Sequence, residues 1–299
     1  MDIARIMIRA RAAAFLVVGL ALISARAVAA EVDLGILEQL SPGQQMRLEK
    51  AYGQKPQAVV RVAFRGEGGR WVAFPGDIAA ISQFPAKVAW TVAFDGQARG
   101  RLDSASPPQW LAYADLGLQF LLPSSTPPRI GAPAAAYEQW DSDTPVRRPL
   151  VVVSGAHVED PEHWKPAPPD AALLQRGTES FRAQLRQENQ TLAADMASLQ
   201  LMKSYRSAKG AFLLAFLVQG KAPPPDEVPG PEWSPHWFVA NASGAMRFLG
   251  NELLLIDAGD YDGDGRSELV FRKSSYDYDG YVIYFDDFAK SAEFGWNYH

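Results

Sequence analysis

From Gln57 onward the apolar positions fall on alternate residues or in short unbroken runs, which is the texture of β-strands. Val59, Val60, Val62 and Phe64 lead into a polar, glycine-rich turn, Arg65-Gly-Glu-Gly-Gly-Arg70, and then into Trp71-Val-Ala-Phe74. Lys87 to Phe94 repeats the style, turns at Asp95-Gly96 and returns through Arg99 to Asp103. An Asp-Gly pair between apolar runs predicts a hairpin. Pro149 to Ser154 adds a short β run. Beyond it come Leu199–Tyr205, Ala211–Val218, Trp237–Ala240, Ala245–Leu249, Glu252–Ile256, Glu268–Arg272 and Tyr281–Phe285, closely spaced and separated by turn residues. Phe294-x-Trp296-x-Tyr298 alternates like a last strand.

Two segments carry a helical pattern instead. Glu31 to Gly53 reads as an N-terminal helix, with Ser41-Pro42 as cap and first helical residue and Gly53 at the C-terminal stop. From Asp170 to about Leu199, Phe181, Leu185, Leu192, Met196 and Leu199 recur at three-, four- or seven-residue steps among Gln, Arg and Glu, which predicts an amphipathic helix lying on a sheet. The fold class expected is therefore mainly β: a small propeller-like or layered antiparallel sheet assembly with an N-terminal helix and one amphipathic helix over about 170–199. Ala89-Trp-Thr-Val-Ala-Phe and His236-Trp-Phe-Val-Ala-Asn form a faint internal echo, with Arg70-Trp-Val-Ala-Phe74 a looser third copy.

Residues 1–30 have the layout of a cleavable secretory signal. Arg5, Arg9 and Arg11 precede an apolar run from Ala12 to Ile23, and small residues at Ala27, Ala29 and Ala30 follow. The run is shorter than the roughly twenty residues that span a bilayer. The organisation expected is signal 1–30, a β-rich region 31–154, a loop and helical segment 155–199, and a C-terminal β region 200–299, with 31–299 compatible with one domain. Residues 123–149 hold six prolines and read as a surface excursion.

The chain of 299 residues contains no cysteine, which excludes disulfide scaffolds, thiolate metal sites and cysteine nucleophiles. Its net charge of −5 becomes −8 once Asp2, Arg5, Arg9, Arg11 and Arg26 are removed with the signal, and such a balance argues against a nucleic-acid grip. Residues 251–299 hold eleven acids and four bases, so the acidity concentrates at the C-terminal end.

That acidity has a focus. Residues 257–269 read Asp-Ala-Gly-Asp-Tyr-Asp-Gly-Asp-Gly-Arg-Ser-Glu-Leu, with Asp260, Asp262 and Asp264 at alternate positions and Glu268 four residues on. Carboxylates packed this closely in one turn repel one another unless a cation neutralises them. Calcium suits them, because it accepts six to eight oxygens in forgiving geometry, whereas magnesium demands a stricter octahedron and comes second. Gly265 allows a sharp bend, so that the Arg266 carbonyl can face the metal while its side chain faces water. An EF-hand would need Glu at position twelve, where Phe271 stands, and helical flanks where this sequence reads as strands.

Gly259-Asp-Tyr-Asp-Gly-Asp-Gly-Arg-Ser-Glu-Leu-Val-Phe271 resembles the calcium loop of FG-GAP/VCBS-type repeats, the blades of integrin-α-like β-propellers. The resemblance implies metal ligands at Asp260, Asp262, Asp264, the Arg266 carbonyl and Glu268, a structural calcium pinning two strands, and use in recognition. The last ligand is Glu rather than the family's Asp, and the loop occurs once. Asp277, Asp279, Asp286 and Asp287 read as solvated turn carboxylates around it.

Other constellations carry less. His157, Glu159, Asp160, Glu162 and His163 share one proline-rich loop, but His-x5-His fits neither a helical pair nor a zinc finger, so a polar surface loop is expected with Trp164 anchoring it on the core. No G-x-S-x-G, H-E-x-x-H, Walker or dinucleotide motif occurs. The sequence therefore points to an exported, calcium-binding β protein of the periplasm or cell exterior, a binding module for a protein or carbohydrate ligand. The rival expectation is a secreted glycosidase-like hydrolase, with a carboxylate pair in a tryptophan-lined cleft.

Overall fold

The structure is a computed structural model that describes residues 31–128, 130, 148–190, 198–219 and 234–298. It is mainly β, and every strand pairing in it is antiparallel. The signal-like residues 1–30 lie outside the described residues.

Seven strands build the first sheet: β1 (Val32–Gln39), β2 (Ala58–Gly66), β3 (Trp71–Ala73), β4 (Lys87–Ala93), β5 (Ala98–Ala105), β6 (Leu118–Leu121) and β7 (Leu150–Val153). Their order is β1-β7-β4-β5-β6-β2-β3, and β1 also pairs with β2, so six strands close into a barrel. Both expected hairpins form, β2–β3 around Glu67–Arg70 and β4–β5 around Asp95-Gly96.

Closure depends on a strand that the sequence reading misplaced. Val32–Gln39 is β1, not the start of a helix, and helix α1 covers only Pro42–Tyr52. The caps fall as expected: Ser41 and Gln44 form a capping box, Pro42 opens the helix, and Gly53 ends it at φ 67°. Upstream of Ser41, Val32, Leu34 and Ile36 are buried at alternate positions, the period of a strand. Gly35 sits at the bulge where β1 turns against its neighbours; a Cβ there would come 2.9 Å from Val60 and 3.0 Å from the Arg61 carbonyl.

A five-stranded sheet follows, β8 (Lys165–Pro166), β9 (Ser198–Arg206), β10 (Phe212–Gln219), β11 (His236–Ala240) and β12 (Met246–Asn251), in the order β12-β11-β10-β9-β8. Helix α2 (Ala171–Gln187) lies on it. The helix is shorter than the expected 170–199: it ends at Gln187, Leu199 belongs to β9, and Leu192 and Met196 lie outside the described residues. Helix and sheet meet closely at Gly177, where a Cβ would strike the Phe216 ring at 2.6 Å.

The last sheet is a four-stranded meander of β13 (Leu253–Gly259), β14 (Glu268–Ser275), β15 (Tyr278–Phe285) and β16 (Lys290–Asn297). Its side chains alternate between two hydrophobic cores. Ile256, Val270, Tyr281, Ile283 and Phe285 pack with the barrel strands, while Leu255, Leu269, Phe271, Val282 and Tyr284 pack with β10 and β11. Its β13–β15 strands are therefore an inner layer, which is why Leu269-Val-Phe271 and Tyr281–Phe285 read as unbroken apolar runs. The layers run barrel, meander, five-stranded sheet and α2.

A largely buried ion pair ties the barrel to the meander. Arg61 of β2 is 4% exposed and holds Glu38 of β1 through two hydrogen bonds, of 2.6 and 3.1 Å. It also donates to the carbonyls of Ala114 and Leu116 and lies over the Trp296 ring of β16 at 4.0 Å. The Tyr281 hydroxyl of β15 donates to the same Glu38 at 2.6 Å. Removing Glu38 leaves the Arg61 charge buried without its partner, whereas Glu38 itself is partly exposed. Glu38→Ala should cost about 3–5 kcal/mol in urea unfolding, and Tyr281→Phe about 1 kcal/mol. Equal small losses in both variants would show that the joint is not held by this pair.

Candidate metal centre

The acidic motif is the turn between β13 and β14, two inner strands of the meander. Both flanking segments are strands, as expected. Gly263 and Gly265 take φ of 77° and 84°, the left-handed region that glycine enters without strain. The turn folds on its own carboxylates: Asp260 Oδ2 accepts from Gly265 N at 2.9 Å, Asp262 Oδ1 from Asp264 N at 3.1 Å, and Glu268 Oε2 from Tyr261 N at 2.7 Å.

Of the five expected ligand residues, the fold brings three side chains together. Asp260, Asp262 and Glu268 each offer a carboxylate oxygen within 4.8 Å of the others, and this is the one such group found among the described residues. Glu268, at the first position of β14, is 2% exposed. Asp260 Oδ1 is buried without a hydrogen-bond partner. Burial pushes the Glu268 carboxyl well above its ordinary range, and the charges of Asp262, Asp264 and Asp260 push it further. Burial raises Asp260 and Asp262 in the same direction. A cation would reverse this, because it favours the ionised form of every carboxylate it touches. The donor set fits a hard, oxygen-preferring ion: three carboxylates, one with an orphaned oxygen, on a turn that glycines allow to bend.

Asp264 stands outside this group. Its Oδ2 is held by Arg266, by Nε at 2.9 Å and by a terminal nitrogen at 2.6 Å. Arg266 also pairs with Asp286 at the β15–β16 turn. Its side chain therefore does not simply face water, as expected from the sequence; it bridges two acidic turns.

The proline-rich histidine loop is a polar surface loop on one side only: His157, Glu159, Pro161 and His163 are exposed, while Val158, Asp160, Glu162 and Trp164 are buried. Asp160 and Glu162 are 7% and 5% exposed, and the segment from His157 to Trp164 is packed against the acidic turn. Asp260 N donates to the Glu159 carbonyl at 2.7 Å, and Ser267 Oγ donates to Asp160 Oδ1 at 2.5 Å. The His157 ring lies against Gly263, where an added Cβ would meet it at 3.0 Å. Neither His157 nor His163 joins the converging carboxylates. Trp164 anchors on the core as expected, edge-on to Phe288 at 5.7 Å between centroids. The sequence names Asp160 only as a member of the surface loop, and it does not single out Ser267. An Asp before Pro161 is a turn signal, and Asp160 does take the amides of Glu162 and Trp164. Nothing local marks Ser267.

Asp279 is likewise no solvated carboxylate; it is 7% exposed and accepts from Arg272 at 2.8 Å. Asp257, three residues before the turn, was also passed over. It is 1% exposed, and Oδ1 accepts from Asp95 N at 3.1 Å with Arg148 3.8 Å away. Oδ2 has no hydrogen-bond partner.

No family model matches the chain, and comparisons with curated proteins and with solved structures return no match.

Burial raises the Asp257 carboxyl from 3.8 to about 7, against the attraction of Arg148 and with the help of Asp95. Between about pH 4 and pH 7 the folded protein thus keeps a proton that the unfolded chain has released. Stability should fall as pH rises through that window, by up to about 1.4 kcal/mol per unit, and lose nothing further from this group above it. Asp257→Asn should flatten this contribution, which urea unfolding at several pH values would reveal. Identical slopes in both proteins would assign the pH dependence elsewhere.

Proposed function

We propose that the chain is an exported β protein that binds calcium at the β13–β14 turn and serves as a binding module of the periplasm or cell exterior. The observation that carries the metal reading is the convergence of Asp260, Asp262 and Glu268 on a turn rooted in two inner strands. Asp264 and the Arg266 carbonyl complete the ligand set implied by the FG-GAP/VCBS resemblance, with Asp264 exchanging Arg266 for the ion. The four-stranded meander is the blade-type unit of that resemblance, and the propeller likeness extends to this unit alone. Export rests on the signal-like residues 1–30.

Calcium here is a structural ion. Three of its donors are side chains on one short turn, and the surrounding strands are fully packed, so the ion holds the turn rather than acting on a substrate. Recognition of a protein or carbohydrate falls to the surface that this scaffold displays. The hydrolase reading called for a tryptophan-lined cleft. The described tryptophans, Trp71, Trp90, Trp110, Trp164, Trp237 and Trp296, are all buried, which favours the binding module.

Thermal melting of residues 31–299 in about 1 mM calcium against excess chelator tests the metal. A site of about 0.1 mM affinity, within the range of extracellular modules, should add about 1.4 kcal/mol. At this size the midpoint should rise by roughly 3–5 °C. Asp260→Asn with Asp262→Asn should abolish the rise. Equal melting with and without calcium would remove the metal and with it the main support for the family reading.

A further inference from the structure

The turn that holds the carboxylates is also where three parts of the fold meet. The segment from His157 to Trp164 carries the chain from β7 of the barrel to β8 of the five-stranded sheet. It touches the acidic turn at several independent points. Asp260 N donates to the Glu159 carbonyl, Ser267 Oγ donates to Asp160 Oδ1, and Glu162 N reaches Ser267 Oγ at 3.4 Å. Gly259 is so close that a Cβ would stand 2.8 Å from the Val158 carbonyl.

The same few residues grip the other two bodies. On the barrel side, an added Cβ at Gly96 in the β4–β5 turn would lie 2.8 Å from Asp160 Cβ. On the side of the five-stranded sheet, the Glu162 carbonyl accepts from Ala208 N at 2.6 Å, and its carboxylate takes Lys209 Nζ at 2.7 Å, both from the β9–β10 turn. Residues 157–164 thus form a strap that the meander's acidic turn holds against both neighbouring sheets.

We propose that cation binding at Asp260, Asp262 and Glu268 and docking of the 157–164 strap are one coupled event, so that the acidic turn works as a calcium-dependent latch on the joint between barrel and five-stranded sheet. The inference rests on the metal reading above and adds to it a regulated contact. Its physical basis is that the backbone of residues 259 and 260, which presents the first carboxylate to the ion, also meets the strap. Ser267, the neighbour of Glu268, holds Asp160. Without a cation the three carboxylates repel, and the turn relaxes by opening. Opening moves the amide of Asp260 and the hydroxyl of Ser267 away from their strap partners. Coupling of this kind is reciprocal: whatever factor calcium contributes to strap docking, docking contributes to calcium affinity.

The test measures calcium affinity by titration calorimetry and amide hydrogen exchange with and without calcium, on wild-type residues 31–299 and on Ser267→Ala and Asp160→Asn. Neither variant removes a proposed ligand. The latch predicts that calcium slows exchange at Asp260, Glu162, Trp164 and Ala208, and that Ser267→Ala weakens calcium binding by about 5- to 150-fold. Asp160→Asn should act in the same direction. Calcium binding with unchanged exchange in the strap, and unaltered affinity in Ser267→Ala, would overturn the latch and leave the metal site standing. Absence of calcium binding in the wild type would overturn both. The wild-type exchange measurement decides the matter even if a variant fails to fold.

Discussion

Along β13, the first half of β14 and β15, the four-stranded meander gives up both of its faces to protein, while β16 keeps Lys290, Ser291 and Glu293 in water; the positions of the other elements follow from that double burial. A sheet with one wet face can tolerate a loose partner; a sheet with none must find apolar surface on two sides or leave whole rows of side chains in water. Here Val270, Tyr281 and Ile283 require the barrel, and Leu269, Phe271 and Tyr284 require the five-stranded sheet. The barrel meets the meander around Arg61 and Glu38, which meet the Tyr281 hydroxyl and the Trp296 ring. The five-stranded sheet is itself covered on its far face by α2 through Phe181, Phe216 and Phe238.

Against that interior the acidic turn is costly unless it is compensated. Turns at the end of an exposed hairpin can leave carboxylates in water, where repulsion is weak. This turn does so only at its tip, where Gly263, Asp264 and Gly265 are exposed; Glu268 begins an inner strand, and the 157–164 strap closes over the side of the loop. Asp264 finds Arg266, whereas Asp260, Asp262 and Glu268 converge on one another. The fold thereby gathers three carboxyl groups, whose ionised forms repel one another, beside the strap that joins barrel and five-stranded sheet. A divalent ion there would act on the whole joint, which is why the metal reading and the strap inference share residues yet make separable claims.

Much was legible from the chain. Helix α1 was bounded by Ser41-Pro42 and Gly53 because capping is settled by neighbouring residues alone. The β4–β5 and β2–β3 hairpins, and the strands from 199 to the C-terminus, followed from alternation and turn chemistry, which are also local. The metal candidates Asp260, Asp262 and Glu268 were legible because all the donors sit within nine consecutive residues. What failed were readings that took a period without knowing the partner. Val32–Gln39 was joined to the helix beyond it, and the pattern of α2 was run on to Leu199 in β9, because apolar residues at the border of two elements satisfy both periods over a short span.

By itself, then, the sequence determined the secondary elements whose signals lie within a few residues, the all-oxygen character of the candidate centre, and the exclusion of thiol chemistry. Only the tertiary structure decided that six strands close into a barrel through β1, that the inner strands of the meander are buried on both sides, and that Asp160, Ser267 and Asp257 matter to the acidic turn's surroundings. Several of those facts depend on contacts between positions more than a hundred residues apart, such as Ser267 with Asp160 and Asp95 with Asp257. Such pairings leave no period or spacing in the chain, since each residue type is compatible with an exposed loop until a distant segment covers it.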